Sequence, residues 1–585
     1  MRKRYYFAIA LVVILILIYR WLMIDFPKTE SLIFFNGDIL TMEDDLPTAS
    51  AIFVEKGIIK FIGSKEEIFN LKNEETEIID LEGRTLMPGF IDPHTHPAIS
   101  TFLYNMVDLS GFTHQTPEGL WSHLEAAIPK FEKGDWIICK GLDPILVKGL
   151  HAPHISFLDS IAPENPLIII SQSLHSYWAN SQAFASANIS KSTPDPSSTS
   201  FYEKDENGDL TGFIAEQEAF QPFGKIFEEV FTLEMMVRTT EKVLEDYAKN
   251  GNTSIVSTGL TIEDGKPLRL YEHLSSENPK LLNQILATLN YFPERKPMVR
   301  HFMYMRHDRS ELLPDSPNNG NDFYRFLGVK HWYDGSPYTG SMFLKEPYDT
   351  SELTEKGLQI PKGYKGERLV EKEELIGFIK NYQQKGWQIA VHTQGDQATE
   401  EVIDAFEEVN QSNDITSFRH RLEHCLLLSE NSIKKMSPLN MTPSIHINHL
   451  YYYGEALQNE IIGEERAQQM LPVNTLKKNN LKFSLHADQP MFESDPFHLI
   501  QTAITRKTKE GTLLGEEEKI SILEGLKAMT IDAAWQIKME NKIGSIKIGK
   551  YADLIILNTN PLQTPVEKLT QIKVEGAFVA GNVLF

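Results

Sequence analysis

The sequence predicts an α/β protein: a (β/α)8 barrel, a β-rich domain assembled from both chain ends, and a transmembrane helix at the N-terminus. Three observations predict it. Eight short apolar runs alternate with longer segments of helical periodicity, the pattern a (β/α)8 barrel requires. Both chain ends read as short strands joined by turns. The first 24 residues start with cations and continue as an apolar run.

At the start, MRKR carries three cations, and Tyr5 to Tyr19 carries no charge. Fifteen helical residues span only about 22 Å, short of the ~30 Å hydrocarbon core. Trp21 to Ile24 extend the run, with Arg20 placed where its head can snorkel. No small-residue cleavage site follows, so residues 1–24 read as a signal anchor rather than a cleaved signal peptide. Cations ahead of the run then put the catalytic part outside the cytoplasm, on the periplasmic or extracellular side.

Residues 31–88 contain SLIFFNGDILTM, SAIFVEKGIIKFIG and EIIDLEGRTLMPG, with turn signals at Asn36-Gly37 and Lys56-Gly57. Residues 536–585 end in KYADLIILN and IKVEGAFVAGNVLF. Chain termini often lie close together, so the two ends are expected to pair into one domain. Between them, residues 89–535 form the barrel. Its strands are read at 89–97, 253–259, 283–292, 327–336, 387–395, 420–425, 441–447 and 482–490. The gap from about 98 to 251 is too long for one connection and must hold an insertion, with a hairpin around Asn207-Gly208.

Composition narrows the function. The chain has 585 residues, 41% hydrophobic and 23% charged, which excludes disorder and multi-span membrane classes. Its net charge of −23 repels phosphate backbones, so no nucleic-acid partner is expected. Two cysteines exclude a disulfide scaffold and a cysteine-rich zinc module.

The chemistry sits at strand ends. His94 and His96 are two apart on a strand, so both imidazoles point to one side and can meet one ion. Gly89 and Pro97 bracket them at the end where barrel active sites lie. Lys330 stands amid apolar strand residues, where a cation is costly. It is either solvent-facing or ion-paired, or else carboxylated by CO₂, its carbamate then bridging two metals. His392 ends the fifth strand, His424 the sixth and Asp488 the eighth. Each alone could be a core histidine or a helix cap, but independent accidents would rarely give this order.

The order HxH, Lys, His, His, Asp over eight strands resembles the amidohydrolase superfamily. The wording is closest to its amidohydrolase 3 branch, which includes N-substituted formamide deformylase-like proteins. The resembling segments are PGFIDPHTHP (88–97), HSYWANSQAF (175–184), GFIAE (212–216), GVKHWYDGS (328–336), AVHTQGDQA (390–398), RLEHC (421–425), SLHADQP (484–490) and AMTIDAAWQI with IGSIKIGKYADLIIL (528–557). The resemblance implies a TIM-like barrel with a β-sandwich built from both ends, and one or two divalent metal ions, usually zinc. It implies that His94, His96, Lys330, His392, His424 and Asp488 hold metal, and that Asp488 is the catalytic aspartate. His331 departs from the pattern, since relatives often carry an apolar residue there. His175, Trp178, Trp332, His449 and His486 are expected to line the substrate pocket. Glu216, Asp334 and the Tyr451 to Tyr453 run are weaker candidates for the same lining.

The expected function is hydrolysis of a non-peptide carbon–nitrogen bond in a small molecule, a linear amide or N-formyl compound. A zinc-acidified water would attack, and Asp488 would shuttle the proton. Two rivals stand beside it. One is a cyclic-amide, lactone or ester hydrolase on the same metal centre, and the other a membrane-tethered binding protein without activity. The sequence leaves the oligomeric state open.

Overall fold

In the computed structural model, eight parallel strands make one sheet in chain order, as a barrel does. They are β1 (Phe90–Thr95), β2 (Asn252–Leu260), β3 (Arg300–Arg306), β4 (Tyr324–Trp332), β5 (Gln388–Thr393), β6 (Arg421–His424), β7 (Thr442–Ile445) and β8 (Ser484–Leu485). The His96 N–H, just past β1, donates to the Gln489 carbonyl just past β8 at 2.8 Å, so the barrel is nearly closed. The structure describes residues 12–19, 28–197, 200–230, 232–262, 264–277 and 280–585.

Two compact units divide the chain. One comprises Met1–Pro93, Val237–Leu327 and Met529–Phe585, the other His94–Met236 and Gly328–Ala528.

In the first unit, both chain ends enter one eight-stranded sheet. Leu554–Leu557 pairs antiparallel with Thr85–Pro88, and Ser31–Leu40 lies parallel to the same strand. Alternation sends Leu32, Phe34, Ile52 and Val54 to one face, where they pack with Leu554 and Phe578. Ile33, Phe35, Ala51 and Phe53 go to the other face, under Ile68. Each such leucine, isoleucine, valine or phenylalanine side chain, fully buried, contributes about 1.5–3 kcal/mol.

In the second unit, the insertion carries a six-stranded sheet. The hairpin at Asn207-Gly208 joins Tyr202–Lys204 to Leu210–Ala215, with Gly208 at φ +78° in the left-handed turn position. Ile168, Ile170, Tyr177 and Ile214 pack on one face, and Ile137, Cys139, Ile169 and Trp178 on the other.

Two expectations need correction. The third strand is Arg300–Arg306, whereas 281–288 is a helix. Its apolar residues Leu281, Leu282, Ile285, Leu286 and Leu289 recur at helical spacing. The true strand was disguised by charge at both ends. Arg300 is buried there because Asp553 accepts from its Nε at 2.5 Å and its Nη2 at 2.8 Å.

The expected transmembrane helix is overturned as well. Residues 12–19 are helical. Among the described residues no helix is long and apolar enough to cross a membrane. The single-pass anchor therefore loses its support, and with it the placement of the enzyme outside the cytoplasm. The other residues of that anchor, 1–11 and 20–24, lie outside the described residues.

Candidate metal centre

Strand alternation on β6 builds the first part of the site. Arg421 and Glu423 share one side of the strand, and both are fully buried. Arg421 donates to Glu423 through Nε at 2.8 Å and Nη2 at 3.0 Å. Glu423 Oε2 lies 2.6 Å from His94 Nδ1. An ionised carboxylate only accepts, so Nδ1 carries the proton and Nε2 is left with a lone pair.

That lone pair faces Asp488. His94 Nε2 lies 3.4 Å and His96 Nε2 3.0 Å from Asp488 Oδ1. Burial opposes ionisation of Asp488, but His96, by charge and hydrogen bond, holds its carboxyl well below the usual range. Two acceptors, an imidazole nitrogen and a carboxylate oxygen, thus point at each other. Such a contact is repulsive unless a cation stands between them, and this donor set fits a divalent metal.

The other oxygen, Oδ2, lies 3.8 Å from His424 Nδ1. His424 and Asp488 both have left-handed backbones, at φ +73° and +56°, a conformation that costs a non-glycine residue energy and gathers at functional sites. His486 Nε2 sits 3.2 Å from His424 Nδ1, and the His486 ring stacks on His94 at 4.5 Å. Burial pushes His94, His392, His424, His446 and His486 below the ordinary histidine value; neighbouring cationic groups reinforce it, while Asp488 opposes it at His392, His446 and His486. Neutral imidazole is the form that binds metal.

The structure brings His94, His96, His424 and Asp488 together. His392 packs its ring against His424 at 4.4 Å but joins no group of three ligand atoms among the described residues. Its Nε2 lies 3.9 Å from Asp334 Oδ1. Asp334 accepts backbone N–H groups from Gln394, Gly395 and Phe343 at 2.9–3.1 Å, which fixes the turn after β5. A side-chain carbon at Gly395 would overlap the Phe343 carbonyl, so only glycine permits that approach. Burial pushes the Asp334 carboxyl up to about 7, against those three donors.

Lys330 is buried on β4, its Nζ 5.3 Å from the centre of the Trp332 ring. Burial pushes its amine down to about 8, partly offset by Glu423 and Asp488. His331 points the other way, its ring 4.5 Å from Phe378. The departure from the expected pattern therefore falls on the helix-facing side of the strand.

Of the expected pocket residues, His486 joins the cluster. His175 is held by Glu216 at 2.7 Å, both partly exposed. His449 Nδ1 lies 2.6 Å from the Tyr338 hydroxyl, and its ring is 4.0 Å from His446. Trp178 is placed in the apolar core of the insertion sheet, with Ile169 and Phe213, as packing. Two residues were missed. His446 follows β7 as His424 ends β6, and that positional signal was available. Glu423 was readable only as a buried Arg-x-Glu alternation on a parallel strand.

Comparison with known proteins accords with this geometry. A family model described as "Amidohydrolase family" matches residues 77–585. The N-substituted formamide deformylase of Arthrobacter pascens is 25% identical over 570 residues, covering 95% of this chain and 98% of that protein. Protein LONG AFTER FAR-RED 3 of Arabidopsis thaliana is 26% identical, covering 94% of this chain and 91% of that protein. Among solved structures, a metal-dependent hydrolase from Pyrococcus horikoshii shares the fold with a TM-score of 0.68 at 24% identity, covering 92% of this chain and 99% of that one. The chain belongs to the amidohydrolase family, in its amidohydrolase 3 branch, and is a hydrolase of carbon–nitrogen bonds that depends on a divalent metal.

Proposed function

We propose that the protein hydrolyses a non-peptide carbon–nitrogen bond in a small linear amide or N-formyl compound, with zinc as its metal. The observation that carries this reading is the convergence of His94 Nε2 and His96 Nε2 on Asp488 Oδ1. His94, His96, His424 and Asp488 hold the ion, with His392 and Lys330 beside them. A divalent cation bound there supplies an acidified water and a polarised carbonyl.

The chain's own residues do the rest. Glu423, neutralised by Arg421, keeps His94 in the tautomer that presents Nε2. Asp488 takes the proton from the attacking water and returns it to the leaving nitrogen. An amine leaves poorly unless protonated, so one carboxylate that accepts and then donates suits this bond. Lys330, with its amine held toward neutrality, is in the form that adds CO₂. The resulting carbamate would bring two anionic oxygens to the same cluster. The likeness to a formamide deformylase supports the N-formyl class.

The test is metal content together with turnover on N-substituted formamides, linear amides, cyclic amides and lactones. Zinc-dependent turnover of the first two is expected. Turnover of lactones alone would move the reading to ester chemistry, and full activity in metal-stripped protein would end it.

A further inference from the structure

We infer that His175, positioned by Glu216, donates a hydrogen bond from Nε2 to the carbonyl oxygen of the amide as that oxygen becomes an oxyanion. This rests on the amide-hydrolase reading above, and the group comes from the insertion, not from a barrel strand. His175 precedes the strand Ser176–Ala179, and Glu216 follows the strand Leu210–Ala215 that pairs with it, Ser176 opposite Ala215. The Glu216 N–H donates to the His175 carbonyl at 2.8 Å, and the Glu216 Oε2 lies 2.7 Å from His175 Nδ1. Backbone and side chain thus fix the ring together. Leu174 and Glu216 both have left-handed backbones, at φ +63°, which costs a non-glycine residue energy and gathers at functional sites.

Two observations bring this pair to the site. The Gln172 side-chain amide donates to the Met491 carbonyl, and the Met491 N–H donates to the Asp488 carbonyl at 2.8 Å, so the loop before His175 is tied to the loop that carries Asp488. Burial pushes the His392 imidazole down, and the charges of Lys330 and His175 add to it, so His175 stands within electrostatic reach of β5. Nε2 is the free end of the ring. It has no hydrogen-bond partner among the described residues, and the His175 side chain is 23% exposed. Burial opposes a charge on His175, but Glu216, by charge and hydrogen bond, and then Asp488 hold its imidazole above the ordinary histidine value. The Glu216 contribution is the larger, and a cation on Asp488 leaves it in place. In the charged ring both nitrogens donate. One hydrogen goes to Glu216, and the other is left for a carbonyl oxygen. A donor preset where negative charge develops acts on the transition state more than on the bound amide.

The full chain, saturated with zinc, is assayed on formanilide and acetanilide, each with and without a 4-nitro group on the ring, and zinc per chain is counted by mass spectrometry. His175→Ala is expected to lower kcat by about 10²–10³-fold, the usual loss for one oxyanion donor. KM and zinc content should stay near wild type, and the loss should be the same with and without the nitro group. His175→Phe fills the same space without a donor and should lose as much, which covers the case of a misfolded alanine variant. His175→Gln carries an amide N–H and should recover part of kcat. Glu216→Gln keeps an acceptor for Nδ1 without the charge and should lose less than His175→Ala, again in kcat. A raised KM at unchanged kcat overturns the inference, because it marks binding made equally in ground and transition states. So does a loss confined to the amides without the nitro group, which assigns His175 to the leaving nitrogen, and so does loss of zinc along with activity. Wild-type kcat in a folded alanine or phenylalanine variant overturns it as well. Wild type that hydrolyses none of the four amides overturns the amide-hydrolase reading itself.

Discussion

Asp553 is a buried carboxylate and Asp488 a half-buried one, 18% exposed, and their surroundings are opposite in kind. Asp553 receives Arg300 through two hydrogen bonds of 2.5 and 2.8 Å and the Ala580 N–H at 2.8 Å. The Arg300 guanidinium is further stacked over Phe323 at 3.9 Å and donates to the Asp322 carbonyl at 2.9 Å. Every charge there has a partner of opposite sign. Asp488 instead faces, beside the His96 that hydrogen-bonds it, a His94 held neutral by burial and presenting a lone pair. A satisfied buried charge holds structure, whereas an acceptor aimed at an acceptor marks a place prepared for a cation. The same substitution, aspartate to asparagine, should therefore act differently at each site.

The largest effect is expected for Asp488→Asn, which keeps the shape and removes the proton acceptor. The rate should fall by about 10²–10⁴-fold, the usual loss for a positioned acid–base group. That is about 3–5 kcal/mol of barrier. Relief of acceptor against acceptor should leave the urea midpoint unchanged or raised. A folded variant within about threefold of wild type, far below the loss expected for acid–base catalysis, would hand the proton to another residue, with His486 the first to test.

Asp553→Asn should do the reverse. It leaves Arg300 buried beside a neutral amide, and breaking a buried pair costs about 3–5 kcal/mol. The urea midpoint should drop sharply, while turnover per folded molecule stays near wild type. A loss of turnover in the folded fraction would remove the division between structural and functional carboxylates.

This contrast also explains what was legible in the sequence. His94, His96, His424 and Asp488, which the structure brings together, could be singled out because each stands at the end of an apolar run, a local signal. Glu423 could not, because its meaning lies in a bond to His94 across 329 positions. Arg300 hid β3 for the same reason, since its neutralising partner is 253 positions away. Local apolar content then favoured 283–292, where helical spacing prevailed over strand content. At the N-terminus, a charge-free run of fifteen residues invited a membrane reading, and among the described residues no helix is long and apolar enough to carry it.

A third, smaller effect is expected for Asp334→Asn. The carboxylate takes three backbone N–H groups, and an amide offers one oxygen where two are used. Leaving a buried donor unpaired costs about 1–3 kcal/mol. The turn after His392 should loosen, so metal affinity should weaken together with the urea midpoint. A midpoint shift with unchanged metal affinity would separate Asp334 from the site.

The smallest effect, and the one of opposite sign, is expected at Asp143. Its carboxyl is buried, and it accepts from the Tyr453 hydroxyl at 2.6 Å, the Ile145 N–H at 2.8 Å and the Leu146 backbone. Burial pushes it up to about 6, against those donors, while an unfolded aspartate titrates near 3.9. Between those values the folded chain holds a proton that the unfolded chain has released. Stability therefore falls as pH rises from about 4 to about 6 and is flat above, by the linkage of proton binding to folding. The loss is at most about 3 kcal/mol, two pH units at 1.36 kcal/mol each. Asparagine is neutral throughout and still offers an oxygen to Tyr453 or Ile145. At pH 7.5 Asp143→Asn should be the more stable protein by about 1–3 kcal/mol, and at pH 4 the two should match. Subtracting the two urea-midpoint profiles cancels the other carboxylates, which titrate alike in both proteins. If the variant is instead weaker at pH 7.5, the Tyr453 and Ile145 donors outweigh desolvation, and Asp143 belongs with Asp553 rather than between it and Asp488.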